Sequence, residues 1–248
     1  MMINIIKLLW LVCISIETCL VLSAVLCITL AAGSFLLTGE FAAAINAMPL
    51  ISWLRAVPMP VSWWLWLAIA MVSLLVVNTL CCSTETSWSR WGRAGLWQLL
   101  APQMMHAGFL MIVLAHLLSA TGSYIQQLEV YEGALAQLPD GHAFGVASIS
   151  VAGSPMGMPT GFSSELVTDL NNMASRTTIS PNHPWFSGGY GVFIKQAEQY
   201  PMPRALLEVH REPGAGMALA GALLFTAGNI LVVWQRAKSK ESGIGVTT

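Results

Sequence analysis

The sequence predicts an integral membrane α-helical protein with four transmembrane helices and a small extracytoplasmic, mostly antiparallel β domain between helices three and four. Three observations predict it. Hydrophobic residues make up 55% of the 248 residues and charged residues only 9%, where a soluble domain carries about 25% charged residues. Charges are nearly absent from four apolar stretches, Leu8–Leu37, Val61–Leu80, Ala101–Ala120 and Ala215–Trp234. Each reaches the roughly 20 residues that cross a bilayer. The segment between the last two stretches instead alternates apolar and polar residues between turn signals, as strands do.

In order, the chain divides into an N-terminus and first span over 1–37, an outer loop over 38–60 and a second span over 61–82. A cytoplasmic loop (83–100) and a third span (101–121) follow, then the β domain (122–214), the fourth span (215–235) and a cytoplasmic tail (236–248). Lys7 followed by an apolar run has the look of a signal peptide. The run continues well past the roughly 7–15 residues of a signal core, so a retained first helix is expected, long enough to tilt. Lys7, Arg90, Arg93, Arg236, Lys238 and Lys240 fall on one side if the spans alternate. That side is cytoplasmic by the positive-inside rule, which puts both termini inside an inner (cytoplasmic) membrane and the β domain on the periplasmic or extracytoplasmic side. Trp53, Trp63, Trp64 and Trp66 read as interfacial anchors in contact with lipid. Trp88–Trp97 could form an interfacial amphipathic helix with Arg90 and Arg93 toward lipid phosphates.

Within the β domain, Phe144–Val151, Tyr190–Ala197 and Ala205–His210 read as strands. Pro139-Asp140-Gly141, Gly153-Ser154-Pro155 and Ser187-Gly188-Gly189 supply turns. Glu165–Met173 reads as one short helix, and the tail from Ala237 as disordered. Net charge is −1, and no nucleic-acid partner is expected.

Ionisable groups inside a span are costly and are functional candidates. His106 and His116 both lie in the third span. They are ten residues apart, so their side chains are separated by about 15 Å along the axis and roughly 80° around it. They cannot ligate one metal atom together. Each is either a cofactor ligand or a histidine hydrogen-bonded to a neighbouring helix, with His116 the weaker ligand candidate. Glu17, expected near mid-depth of the first span, is either a proton relay or a protonated, hydrogen-bonded carboxyl, and His116 at similar depth is a possible partner. Cys13, Cys19 and Cys27 lie in the first span and Cys81 and Cys82 end the second. None lies in the β domain, so no disulfide framework is expected there. No C-x-x-C-H and no C-x-x-C string is present, against covalent haem attachment or a thiol carrier of that type. Cysteines in a span pack as small apolar residues; Cys81 and Cys82 could also bind metal or sense redox state. His142, His183 and His210 read as surface or structural residues.

The order of these elements resembles the ResB (CcsB) family of system II cytochrome c biogenesis proteins. The strings that carry the resemblance run in order. They are Asn78-Thr79-Leu80-Cys81-Cys82, then His106-Ala107-Gly108-Phe109-Leu110, Thr121-Gly122-Ser123-Tyr124 and Tyr131-Glu132-Gly133. Asn182-His183-Pro184, Gly189-Tyr190 and Glu212-Pro213-Gly214 follow, before a last helix with Gly221 and Gly228. The chain is short for that family, and His116 is outside its pattern. The resemblance implies a non-catalytic or partly catalytic subunit of a cytochrome c haem lyase complex, which helps carry haem across the membrane to apocytochrome c. It also implies a CcsA-like multi-span haem-handling partner. His106 would then be an axial ligand of haem b, held transiently or shared with that partner, since no other span carries a histidine. Two rival readings stay open. One is a b-type cytochrome subunit of a quinol-linked electron-transfer complex, and the other is a cofactor-free membrane scaffold.

Overall fold

A computed structural model describes residues 2–92, 95–153, 159–169 and 175–241. The chain forms two compact units. One gathers Met1–Ala42, Trp53–Leu118 and Gly214–Thr248, and the other Ala43–Ser52 and Ser119–Pro213.

The first unit is helical. It is built from α1 (Met2–Cys13), α2 (Ile16–Leu36), α5 (Met59–Arg90), α6 (Leu96–Gly122) and α7 (Ala215–Glu241). Among the described residues four helices are long and apolar enough to cross a membrane: Ile16–Leu36, Met59–Arg90, Leu96–Gly122 and Ala215–Lys238. The first span departs from the expected single run over Leu8–Leu37, because the helix breaks at Ile14 and Ser15. Ser15 is extended (φ −77°, ψ 132°), and its hydroxyl accepts from the backbone N–H groups of Glu17 at 3.1 Å and Thr18 at 3.4 Å. That is an N-cap, and it starts a new helix. Hydropathy sums cannot register it, since both sides of the break are apolar.

The region 38–60, expected as a loop, holds two short helices, α3 (Gly39–Ala47) and α4 (Leu50–Ala56). Trp53 is fully buried and its indole N–H donates to the Phe41 carbonyl at 3.1 Å. Pro58 then caps α5. The Trp64 ring lies over Gly33 of α2, where any side chain would collide with the indole. Thr29 and Gly33 of α2 are buried, as are Ser62, Leu65, Ala68 and Leu75 of α5.

The expected helix over Trp88–Trp97 does not form. Trp88 and Arg90 end α5, Gly92 turns the chain at φ +72°, and Leu96 and Trp97 open α6. A left-handed φ is cheap only for glycine, so the helix stops there. Arg93 lies outside the described residues. On α6, Ala101, Gly108 and Ala115 are buried at seven-residue spacing; Gly221 and Gly228 repeat it on α7. A Cβ on Gly108 would lie 2.5 Å from the Phe225 nitrogen, and one on Gly228 would lie 2.8 Å from the Met105 nitrogen. The two helices therefore run antiparallel with backbones in contact, which small residues permit. Gln235 closes the far end by donating to the Trp97 carbonyl at 2.8 Å. α7 continues to Glu241, past the Ala237 expected to begin a disordered tail; residues 242–248 lie outside the described ones.

Among the described residues the second unit contains eight strands, which follow α6 and precede α7 in the chain. They are β1 (Tyr124–Tyr131), β2 (Leu135–Gln137), β3 (Ala143–Gly153), β4 (Pro159–Val167), β5 (Arg176–Ile179), β6 (Trp185–Ser187), β7 (Tyr190–Glu198) and β8 (Arg204–Arg211). They form two antiparallel sheets of order β1-β8-β7-β6 and β2-β3-β4-β5. Inward residues of both sheets, among them Phe144, Leu166, Ile179, Val192 and Leu207, make one core. Glu165–Val167, expected in a short helix, instead ends β4. Leu166 is fully buried, while Glu165 pairs with Arg176 at 3.0 Å. Alternation at period two won over a run of helix-compatible residues. Thr168 and Asp169 follow without helix, and residues 170–173 of that expected helix fall outside the described ones.

Candidate functional site

His106 sits on α6 ten residues after Leu96, about 15 Å into the helix. That is deeper than the single turn expected, because α6 starts before Ala101. Around the helix, His106 is roughly 160° from Gly108, which faces α7, and roughly 60° from Gln103. Gln103 marks the α5 side: its amide donates to the Ser83 carbonyl at 3.2 Å, and the Ser83 hydroxyl bonds the Gln103 amide oxygen. His106 therefore belongs to the side of α6 turned from α7 toward α5. Its Nδ1 is buried and has no hydrogen-bond partner among the described residues. The expected alternative, a histidine bonded to a neighbouring helix, is not formed. An unpaired buried nitrogen costs about 1–3 kcal/mol, so the position is held at a cost.

His116 differs. It is exposed, and its Nδ1 lies 2.8 Å from the Ile112 carbonyl, one turn back on the same helix. That bond fixes Nδ1 as the protonated nitrogen. Glu17 is exposed on the first turn of α2. The break at Ser15 moves it from mid-depth of one long span to the start of a new helix. There a carboxylate suits the positive N-terminal end of the dipole. No hydrogen bond or ion pair joins Glu17 to His116 among the described residues, against the expected pairing.

Asn78 and Cys82 converge with the break in the first span. The Asn78 amide donates to the Cys13 carbonyl at 2.7 Å and to the Ser15 carbonyl at 3.2 Å. Cys82, one turn along the same face of α5, directs its thiol at the Ile14 carbonyl at 3.3 Å. The last carbonyls of a helix have no partner within it, and in an apolar setting something else must bond them. Asn78 does so from 65 residues away, a pairing no sequence window contains. Cys81, half-buried, lies between Asn78 and Cys82 on α5. Beyond them, the end of α5 lines a cavity of about 680 Å³ with Ser83, Thr84, Ser87, Trp88 and Trp91, within the size range of small-molecule sites.

The β unit holds a cluster that sequence reasoning missed. Glu208 is buried on β8. Its carboxylate meets the Lys195 ammonium at 2.7 Å, the Gln127 amide at 3.0 Å and the His210 imidazole at 2.5 Å. Burial pushes the carboxyl pKa up, but the Lys195, Gln127 and His210 hydrogen bonds outweigh it and bring it down to about 2. The signal was the alternation of Leu206, Glu208 and His210 on one face of β8, with Gln127 opposite Glu208 in register. His142 lies 3.0 Å from Asp140, whose carboxyl is held below its usual range chiefly by the His142 backbone N–H. His183 closes a turn with Ser180. Among the described residues no three His, Cys, Asp or Glu side chains are grouped to hold a metal ion.

No family model and no curated protein matches the chain. Among solved structures it is similar to one titled "Cytochrome c Heme Lyase CcmF", at 13% identity and a TM-score of 0.45. The similarity covers 89% of this chain and 35% of that one, so the chain spans about a third of that protein's length.

Proposed function

We propose that this chain is a ResB-like subunit of a cytochrome c biogenesis complex in the cytoplasmic membrane, handling haem as cargo for delivery to apocytochrome c. The observation that supports the reading is the buried, unpartnered ring nitrogen of His106 in an apolar helix. An imidazole held there without a hydrogen bond fits one axial position of haem iron, which takes histidine readily. Its neighbours in the span, Met105, Ala107, Phe109 and Leu110, are apolar, as a macrocycle in a membrane requires. Histidine is missing from the other three spans, so the opposite axial position falls to a partner, in this reading a CcsA-like multi-span protein. His116, with Nδ1 tied to Ile112, has Nε2 for a ligand, but its exposed position gives it a lesser role. The β unit, on the extracytoplasmic side in this reading, docks the partner or the apocytochrome.

The test is complementation of a deletion strain, read as covalent haem in c-type cytochromes by haem staining. His106→Ala is expected to abolish maturation with the chain still present in the membrane fraction, and His116→Ala to retain most of it. Full maturation with His106→Ala sinks the proposal. Stoichiometric bis-histidine haem on the purified chain alone, lost in His106→Ala, favours the b-type cytochrome reading instead.

A further inference from the structure

Arg90 ends α5 and Leu96 opens α6, a connection short enough to make the two helices an antiparallel hairpin. Ser83 and Gln103, which join the arms, each lie seven residues in from that connection. His106 lies three residues beyond Gln103, away from the connection, and Ser87 lies four residues beyond Ser83, toward it. The two positions are therefore about 10 Å apart along the hairpin. The cavity of about 680 Å³ starts at Ser83, level with Gln103, and continues through Thr84, Ser87 and Trp88 to Trp91.

The hydroxyls of that cavity are not equivalent. Ser83 already donates to Gln103, and Thr84 donates to the Leu80 and Cys81 carbonyls at 3.0 and 2.9 Å. The half-buried Ser87 hydroxyl has no partner among the described residues, so its proton is available. Ser83, Ser87 and Arg90 recur at i, i+4 and i+7, one stripe of the helix, and Arg90 is exposed at its end. Glu85, the carboxylate of this stretch, is turned roughly 160° from Ser87. Trp88 and Trp91 add indole N–H donors and apolar ring faces. Such a lining offers a cation and hydrogen-bond donors to a carboxylate, and an apolar wall to the body that carries it.

We infer that this cavity is the propionate subsite for the haem proposed at His106, with Arg90 and Ser87 holding the carboxylates. The inference rests on the proposed function, which supplies the haem. Haem carries iron at its centre and both carboxylates on one edge, so one molecule reaches from the imidazole to the Ser87 level. The polarity of the hairpin follows that of the ligand, apolar around His106 and polar from Ser83 to Arg90. Haem is therefore held in one orientation, its macrocycle deeper in the span and its propionates toward the polar end of α5.

The experiment titrates the full chain in phosphatidylcholine nanodiscs with ferrous haem under carbon monoxide, which fills the second axial position. Binding is read in the Soret band, and the haem dimethyl ester is titrated in parallel. The wild type is expected to bind haem about tenfold more tightly than the ester. Ser87→Ala and Arg90→Gln each weaken haem about three- to tenfold and leave the ester unchanged; the double variant binds the two alike, and Arg90→Lys keeps most of the preference. Unchanged ester binding shows that a variant is folded. Equal affinity of the wild type for haem and ester overturns the inference and leaves the proposed function standing. A preference for haem that survives in the double variant does the same. If His106→Ala binds both compounds as the wild type does, or neither compound binds the wild type, the proposed function fails and the subsite fails with it.

Discussion

The helical unit and the β unit differ in what they leave outside: the helical unit exposes many large apolar side chains, and the β unit gathers most of its own into one core. In the helical unit Phe35 is 85% exposed, Ile16 73% and Ile28 69%, while Thr29, Ser62, Asn78 and Thr79 are buried. In the β unit Phe144, Leu166, Ile179 and Leu207 are all at 0% exposure. The difference reports the solvent. In hydrocarbon an apolar side chain gains nothing by moving inward, and helix contacts form where small residues admit backbones and polar groups find partners. In water the apolar side chains supply the driving force themselves.

The largest expected effect belongs to the β core. Leu166→Ala should cost about 2–5 kcal/mol, read as a lowered denaturant midpoint for protease resistance of the β unit in the intact chain. If it costs no more than an outward-facing change in the helical unit, the contrast between the units is broken. The Glu208 cluster comes next. Its folded pKa of about 2 lies below the ordinary 4.5. Its stabilisation is therefore complete above about pH 4.5 and is lost as pH falls from there through about 2. The loss is on the order of 2–3 kcal/mol. Melting midpoints against pH should show it in the wild type and flatten in Glu208→Gln, which carries no titrating carboxyl.

Asn78→Ala should cost about 1–3 kcal/mol by removing the amide donor to the Cys13 carbonyl at the end of α1 in an apolar setting. Faster maleimide labelling of Cys82 in detergent is the check, and an unchanged rate would mean the break is held by other contacts. Phe35→Ala sharpens the comparison from the other end. It removes a large apolar side chain from an outward face and should change stability by no more than about 0.5 kcal/mol, measured as thermal loss of the folded chain in the same detergent. A loss as large as that of Leu166→Ala would mean the face is covered by protein rather than lipid.

Much of the architecture was legible before the structure. Four apolar stretches correspond to four helices able to span a membrane, because hydropathy over 20 residues is a local sum. Strands β3, β7 and β8 were legible from alternation. Strand β1 was not, since its outward Gln127 and Glu129 dilute the apolar signal, and Leu128 and Val130 find the core only once β8 pairs beside them. The end of β4 was misread as helix because Glu165–Val167 is equally compatible with both, and only pairing with β3 and β5 decides. The depth of Glu17 was misjudged for a different reason: one serine cap resets the helix, and every later position shifts with it.

By itself the sequence determined the number of apolar helices, the β character of 122–214 and the choice of His106 as a polar group in an apolar setting. Those properties follow from each residue and its near neighbours. Only the tertiary structure decided that His106 keeps an unpartnered nitrogen on the α5 side of its helix. It alone decided that Glu208 is shared by Lys195, Gln127 and His210, and that Asn78 bonds the carbonyl of Cys13 at the helix break. Each of these depends on groups far apart in the chain. Whether a buried polar atom is satisfied is a property of what folding places beside it, not of its neighbours in sequence.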